Sequence, residues 1–198
     1  PSPGTVKAWK EQTPEGFMFS AKFPRIITHV KTLQNCEKEV DRFISSISQL
    51  QDRLGPLLLQ FPSSFGPGQL PLLRDFLPSL PRSCRYAVEV RNKNLLEEKL
   101  CSLLRENKAT LVLTGQPSVS LVEEVTTDFV YVRWEGDRRK VKGTLGRTEV
   151  DRTQDTGKWV QRTKILLDQG FEVFGYFSKY YSGYPPGDAE QFLSLLSL

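Results

Sequence analysis

Histidine and cysteine are scarce in this 198-residue chain, which contains one histidine and three cysteines. A single histidine excludes a metal site built from several imidazole ligands. Cys36, Cys84 and Cys101 lie far apart and form no Cys-x-x-Cys pair, so their spacing indicates neither a zinc site nor a disulfide framework. An odd number of cysteines is more typical of a reducing compartment. We therefore predict an intracellular, cytoplasmic protein with no metal site, and the sequence does not identify a cofactor.

Long apolar segments are missing as well. No run approaches the roughly 20 residues that span a bilayer, and the N-terminus shows no signal-peptide pattern. We therefore predict no association with membranes. The chain begins with Pro1 rather than methionine, which is typical of a fragment or of a processed product.

The sequence also lacks the motifs of common catalytic classes. It contains no glycine-rich phosphate turn, no recognisable Ser-His-Asp order and no paired cysteine and histidine. Serine or cysteine nucleophile chemistry therefore has little support, and whether the protein is an enzyme stays open. The net charge of +4 and the pI near 9.0 permit an anionic ligand or nucleic acid as a partner without requiring either.

The chain does contain a regular alternation of predicted strands and helices. One helix, for example, is predicted to be capped by Asn35 and ended by Gly55. The alternation predicts parallel β-α-β units in a single α/β domain over residues 1–198. A closed barrel has eight strands, and an open doubly wound sheet is the competing fold. Six strands are predicted, namely Phe17–Phe23, Leu57–Phe61, Arg85–Arg91, Thr110–Thr114, Phe129–Trp134 and Glu172–Phe177.

The strand Arg85–Arg91 carries the clearest signal of a site. Side chains alternate along a strand, so Val88 and Val90 face one way while Glu89 and Arg91 face the other, about 7 Å apart. Glu89 suits a general base or a hydrogen-bond acceptor for a sugar hydroxyl, and Arg91 suits bidentate binding of an anion. The alternative is a buried ion-pair network that fills a barrel mouth, because structural networks use the same residue types.

Polar side chains also close three other predicted strands. Lys22, Gln60 and Arg133 lie at or near the C-terminal ends of their strands, where parallel α/β barrels build their sites. We expect these side chains to meet Glu89 and Arg91 at one cavity mouth, because each buried charge needs a partner. Such a convergence favours a ligand site over a structural plug.

Loops supply the remaining candidate residues. His29 follows the first predicted strand and suits a catalytic imidazole, although a loop histidine bonded to backbone is the alternative. Tyr176 and Ser178 end the last strand among several tyrosines, which would either bind a ligand or simply pack. Residues 136–155 form a loop poor in apolar side chains, read as a solvated loop or as a lid or phosphate-backbone contact. Its cations include Arg138, Arg139, Lys140, Lys142 and Arg147.

Several segments resemble the YecE-like family (domain of unknown function 72), whose members are TIM-barrel proteins. The segments follow the family's order from about Pro3 to the C-terminus, which makes the match more specific than any single motif. They are Trp9, Thr13-Pro-Glu-Gly-Phe17, Phe19-Ser-Ala-Lys22, Ile27-Thr-His29, Arg53-Leu-Gly-Pro56, Gln60-Phe-Pro62, Ala87-Val-Glu-Val-Arg91, Tyr131-Val-Arg133 and Tyr176-Phe177.

The resemblance implies a TIM-barrel-like (β/α)8 fold. The family begins with two further strands that this chain lacks, so we expect an N-terminally incomplete barrel whose unpaired sheet edges favour self-association. The family's last strand commonly ends in Asn-Asn, where this chain has Ser178-Lys179. The family name implies no activity.

Three functions are compatible with these observations. The leading hypothesis is a protein that binds a small anionic or polyhydroxylated ligand, phosphate-like or sugar-like, at the strand C-termini, as a hydrolase or an isomerase. The first alternative is nucleic-acid binding through the basic loop 136–155. The second is a non-catalytic barrel remnant that has lost its activity.

Overall fold

The computed structural model of the protein describes residues 2–115 and 125–197. The chain forms two compact units, Pro1–Ala109 and Thr110–Leu198. Both are of the α/β class, and all strand pairs with an assigned register are parallel. A closed barrel is not detected among the described residues, so the predicted (β/α)8 fold is confirmed only as an α/β fold with parallel sheets.

The first unit alternates helices with the strands of a sheet in the order β1-β2-β3-β4, in which β1, β2 and β3 pair in parallel. A π-helical turn at Ile26–Val30 follows β1, and a 3-10 helix at Ser48–Arg53 precedes β2. The last strand, β4, begins at the final residue of this unit. The elements are α1 (Pro3–Gln12), β1 (Phe19–Lys22), α2 (Glu37–Ile47), β2 (Leu54–Gln60), α3 (Leu70–Phe76), β3 (Tyr86–Glu89), α4 (Glu98–Glu106) and β4 (Ala109–Leu111).

Strand register decides which side chains of the first sheet are neighbours. β2 and β3 pair so that Gln60 lies opposite Glu89 and Leu59 opposite Val88. The interior of this sheet is apolar, since Leu57, Leu59 and Val88 have no exposed surface. Polar groups are therefore carried to the C-terminal edge, where each strand leaves the apolar layer.

The helix that Asn35 was predicted to cap is shorter than its sequence pattern suggests. Asn35 adopts a left-handed conformation with φ of 48°, and the N-cap of α2 is Cys36. The helix ends at Ile47, because the chain then tightens into a 3-10 helix that contains Gln51 at φ of 55°. Gly55 lies inside β2 rather than at a helix end. The predicted cap and end of this helix are therefore wrong.

Arg53 connects this segment to the first helix. Its guanidinium donates to the carbonyl oxygen of Thr13 at 2.6 Å and to the Thr13 hydroxyl at 2.7 Å, and it also bonds the carbonyl oxygen of Lys10. The last carbonyls of a helix lack partners within the helix. Arg53 supplies partners for the C-terminal end of α1 and fixes that helix to the start of β2.

The second unit has a three-stranded parallel sheet in the order β5-β6-β7. The strand predicted at Thr110–Thr114 is divided at Val112, so that β4 belongs to the first sheet and β5 to the second. The predicted bounds of the next two strands are confirmed. The elements are β5 (Leu113–Thr114), β6 (Phe129–Trp134), α5 (Thr153–Asp168), β7 (Glu172–Phe177) and α6 (Pro185–Leu196).

Alternation along β6 separates its two faces. Val130, Val132 and Trp134 pack in the core of the second unit, whose buried members from α5 and α6 include Trp159 and Phe192. Tyr131 and Arg133 have the opposite parity and therefore leave the strand on its other face. The aromatic rings of Trp134 and Phe177 stack with centroids 4.3 Å apart, which holds the ends of β6 and β7 together.

Gly175 in β7 provides a test of this packing. A Cβ atom at this position would lie 2.4 Å from the Trp134 ring, inside van der Waals contact. Overpacking of this kind costs about 1–3 kcal/mol, so Gly175→Ala should lower the midpoint of urea unfolding measured by tryptophan fluorescence.

Gly157 in α5 is the matched control within the same unit. A Cβ atom there would meet nothing within 4 Å, and alanine favours a helix interior over glycine by about 1 kcal/mol. Gly157→Ala should therefore raise the midpoint. Equal midpoints for the two variants would show that the Trp134 ring moves aside at little cost.

Candidate functional site

Four of the predicted site residues form one hydrogen-bonded chain at the C-terminal ends of β1, β2 and β3. The Lys22 ammonium donates to the Gln60 side-chain oxygen. The Gln60 amide nitrogen donates to Glu89 Oε1 at 2.9 Å, and Arg91 Nε donates to the same oxygen at 3.2 Å. One carboxylate oxygen therefore accepts from two donors, and a cation lies at each end of the chain.

Burial is uneven along this chain, which we call the Glu89 network (Lys22, Gln60, Glu89 and Arg91). The side chain of Glu89 is inaccessible to solvent, whereas that of Arg91 is 26% exposed. Lys22 is exposed and Gln60 is buried. A buried carboxylate is stable only when it is paired or hydrogen-bonded. The buried carboxylate thus forms the centre of the network, and the two cations at its ends are exposed or partly exposed.

His29 lies in the π-helical turn Ile26–Val30 that follows β1. Its Nδ1 atom is 2.8 Å from the hydroxyl of the buried Thr28, which orients the ring. Partial burial lowers the pKa of His29 below its ordinary value, and the positive charges of Arg25, Lys22 and Arg91 lower this pKa further. The imidazole is therefore neutral at pH 7, and three cations act on it.

A cavity of about 770 Å³ adjoins this edge of the first unit. Lys22 and Pro24 line it from β1 and the loop that follows, and Arg42 and Phe43 line it from α2. Its volume lies within the range of small-molecule sites. Lys22 thus connects the Glu89 network to a space large enough for a metabolite.

Arg133, a further predicted ligand residue, lies in the second unit near the C-terminal end of β6. It forms an ion pair with Glu135, in which Arg133 Nη2 is 2.6 Å from Glu135 Oε1. The side chain of Glu135 is 3% exposed and that of Arg133 is 20% exposed. This edge of the second sheet therefore repeats the arrangement of a buried carboxylate beside a partly exposed arginine.

Tyr176 and Ser178 lie at the neighbouring end of β7. The ring of Tyr176 stacks on that of Tyr131 with centroids 5.0 Å apart, so one of its faces is already covered. The Ser178 hydroxyl accepts from the backbone N–H of Tyr180 at 3.3 Å, and the Ser178 N–H donates to the carbonyl oxygen of Trp134. Ser178 thus anchors the turn after β7, and its role in ligand binding stays a prediction.

Two charged residues of these clusters were missed in the sequence. Glu135 has the same strand parity as Arg133, so extending the alternation of β6 by two residues identifies it. Arg25 follows Pro24 directly after β1, in a loop that shows no periodic pattern. Only the turn geometry shows that its charge acts on His29.

Neither a metal-binding group of side chains nor a membrane-spanning helix is found in the part of the chain that the structure describes. Within residues 2–115 and 125–197, no three acidic, histidine or cysteine side chains are grouped to hold a metal ion. No helix in the same ranges is long and apolar enough to cross a bilayer.

Some known proteins are similar to this chain in sequence, and others are similar in fold. The YecE protein of Escherichia coli strain K12, named a UPF0759 protein, is 45% identical over 92 residues, which make up 46% of this chain and 34% of YecE. The matched part thus spans about a third of that relative. YecE of Escherichia coli O157:H7 matches to the same extent.

Solved structures of two proteins are similar over the whole chain. A DUF72 family protein from Thermotoga maritima has a TM-score of 0.83 and 24% identity, and this chain covers 80% of it. One from Enterococcus faecalis has a TM-score of 0.79 and 23% identity, with 85% covered. Identities this low support the fold alone. The sequence profile described as "Protein of unknown function DUF72" matches residues 1–198, and the chain belongs to this uncharacterised family.

Proposed function

We propose that the protein binds a small anionic or polyhydroxylated ligand, such as a phosphate or a sugar phosphate, at the C-terminal ends of β1–β3. The observation that supports this most is the Glu89 network. It presents two cations, Lys22 and Arg91, outward from a single inaccessible carboxylate. A guanidinium and an ammonium suit the oxygens of a phosphate.

The structural plug is the alternative for the same residues. A plug neutralises its own charges, as Glu89 does for Arg91. Positive charge also acts on His29, since burial is the main cause that lowers its pKa and Arg25, Lys22 and Arg91 lower this pKa further. An anion would relieve this repulsion, which is why we favour a ligand site.

Roles for the candidate catalytic residues follow from their environments. Glu89 is inaccessible in this structure, so its proposed part is to position Gln60 and Arg91. A role as general base requires the carboxylate to become accessible when ligand binds. The neutral imidazole of His29, oriented by Thr28, suits a general base in a hydrolase or an isomerase. If no turnover accompanies binding, the protein is a non-catalytic member of its family.

The proposal also includes Arg133, Tyr176 and Ser178 as ligand-binding residues at the edge of the second sheet. Arg133 offers a partly exposed guanidinium held by the buried Glu135. Tyr176 offers its edge and hydroxyl rather than a full stacking face, because Tyr131 covers one side.

Replacement of Arg91 by alanine is the first test. Arg91→Ala should weaken phosphate binding at least tenfold, since a direct charged contact is worth about 1.5–3 kcal/mol. The free energy of unfolding should fall by about 1–3 kcal/mol, because Glu89 loses its charged partner while Gln60 still donates to it. Isothermal titration with inorganic phosphate and with a sugar phosphate measures the first quantity, and urea unfolding measures the second.

Lys93 supplies the matched control, because it is an exposed cation two residues further along the chain. Lys93→Ala should change neither quantity. The network would be a structural plug if the parent protein bound neither phosphate nor sugar phosphate and Arg91→Ala were severely unfolded.

Replacement of Glu89 by glutamine is the second test. The variant keeps a side-chain oxygen that accepts from Gln60 but removes the charge that compensates Arg91. We expect stability to fall by about 1–3 kcal/mol, below the roughly 3–5 kcal/mol of a fully buried pair, because water reaches Arg91. Phosphate should bind more tightly, since a competing negative charge has gone. Weaker phosphate binding by a folded Glu89→Gln variant would contradict this model of the site.

The single histidine gives a direct reading of charge at the site. NMR titration of His29 should show a pKa below 6.5, because burial and three cations disfavour the protonated ring. Arg91→Met should raise this pKa, and saturating phosphate should raise it in the parent protein. If phosphate binds without moving the His29 pKa, the anion occupies another site.

The same shift makes a prediction about stability and pH. Since the folded pKa of His29 lies below the ordinary 6.5, the unfolded chain takes up the proton first as pH falls. His29 therefore contributes a loss of stability that develops below pH 6.5 and is absent above it. Urea unfolding of His29→Gln across this range should show a smaller acid slope than the parent protein. Equal slopes would mean that the folded chain protonates His29 as readily as the unfolded chain.

A further inference from the structure

The loop after β6 concentrates the positive charge of the chain. Residues 136–149 together with Lys179 contain six cations and two carboxylates, a net charge of +4. The whole chain also has a net charge of +4, so the charges of the remainder cancel. The loop is therefore the main electrostatic feature of the protein. Its cations are Arg138, Arg139, Lys140, Lys142 and Arg147.

Both carboxylates in this loop are engaged locally. Asp137 accepts from Arg139 in a two-point ion pair at 3.0 and 2.9 Å. Glu149 accepts from the backbone N–H groups of Lys142 and Gly143. Among the described residues, the ion pairs of the structure do not include Arg138, Lys140, Lys142, Arg147 or Lys179.

The loop has a defined conformation rather than that of a solvated coil. The N–H groups of Glu149 and Val150 donate to the carbonyl oxygen of Ser182 at 2.7 and 3.0 Å. Close backbone contacts also hold the loop along the segment that follows β7. A Cβ atom on Gly143 would lie 2.6 Å from the carbonyl oxygen of Lys179, and one on Gly136 would lie 1.8 Å from that of Tyr180.

An aromatic ring lies within this positive surface. The guanidinium of Arg138 lies over the ring of Tyr180, 4.7 Å from its centroid, and the Lys179 ammonium is 5.0 Å from the same centroid. Tyr180 is half-buried, while Arg138 and Lys179 are exposed. We call Arg138, Lys179 and Tyr180, with Lys140, Lys142 and Arg147, the Tyr180 patch.

We propose that the Tyr180 patch is a binding surface for single-stranded nucleic acid. Proteins bind single strands by combining cations along the backbone with an aromatic ring on which a base stacks. Here the cations reach phosphates, and a base stacks on Tyr180 or on the Arg138 guanidinium above it. An acidic peptide would use the cations but not the ring, and a duplex hides its base faces. The ring is therefore what favours a single strand.

Fluorescence anisotropy with labelled oligothymidylate of about 12 nucleotides, within the usual range of single-strand sites, tests the proposal. A matched duplex should bind more weakly. The logarithm of affinity should fall against the logarithm of salt concentration with a slope of about −3, because four or five phosphates would be neutralised. Arg138→Ala combined with Lys179→Ala should weaken binding and reduce the slope by about 1.4.

Tyr180 variants separate stacking from charge. Tyr180→Leu should weaken oligonucleotide binding roughly tenfold with an unchanged salt slope, whereas Tyr180→Phe should bind like the parent protein. If Tyr180→Leu does not fold by circular dichroism, the parent protein's preference for oligothymidylate over the duplex tests stacking, because a duplex hides its base faces, and equal affinities for the two would leave no role for the ring. The charge-matched control is Lys7→Ala with Lys38→Ala, two exposed cations of α1 and α2.

Several outcomes would overturn the proposal. Equal weakening by the Lys7 and Lys38 control would show that only net charge matters. Full binding by a folded Tyr180→Leu variant would leave no role for stacking. Binding of polyglutamate at matched charge, or of phosphatidylserine vesicles, as tightly as the oligonucleotide would assign the patch to an acidic protein or to a lipid surface instead.

Discussion

The carboxylate of Glu89 is the interaction on which the first sheet's C-terminal edge depends. Glu89 Oε1 is inaccessible to solvent, and it accepts from Gln60 on the neighbouring strand and from Arg91 two residues further along the chain. Such a group is costly to bury alone and stabilising only with its partners. The arrangement explains why the apolar layer of the sheet can end in charges without unfolding. It also leaves the side chains of Lys22 and Arg91 exposed and partly exposed, respectively.

The second unit also ends its sheet in charged residues, but aromatic packing contributes more to its core. Its sheet is held mainly by aromatic packing, in which Trp134 contacts Trp159, Phe177 and Phe192. Gly175 makes room for the Trp134 ring. Because that core is formed by one face of β6, the other face is available for Tyr131 and Arg133, and the buried Glu135 compensates the arginine. Each sheet therefore ends in a partly exposed arginine held by a buried glutamate.

Much of this organisation was predictable from local patterns. The bounds of β6 and β7 follow from apolar runs that have clear ends, and the shared face of Glu89 and Arg91 follows from strand parity. Other features depend on contacts that a local pattern does not contain. The strand predicted at Thr110–Thr114 divides between two sheets, because its pairing partners change at Val112. The helix predicted from Asn35 starts one residue later and ends at Ile47, next to residues with positive φ that the apolar spacing does not reveal.

The sequence by itself determined the α/β class and the identity of the polar residues at the strand ends, because alternation and apolar runs are local properties, and its collinear segments carried the resemblance to the family. Only the tertiary structure decided how those residues are connected. Parallel pairing places Gln60 beside Glu89, and burial then makes the carboxylate the centre of the Glu89 network rather than an exposed base. Tertiary contacts also turned a run of basic residues into the Tyr180 patch, since the glycines of the loop allow it to lie against the backbone of Lys179 and Tyr180. In both cases residues distant in the chain determine the environment of a charge, and that environment decides what the charge can do.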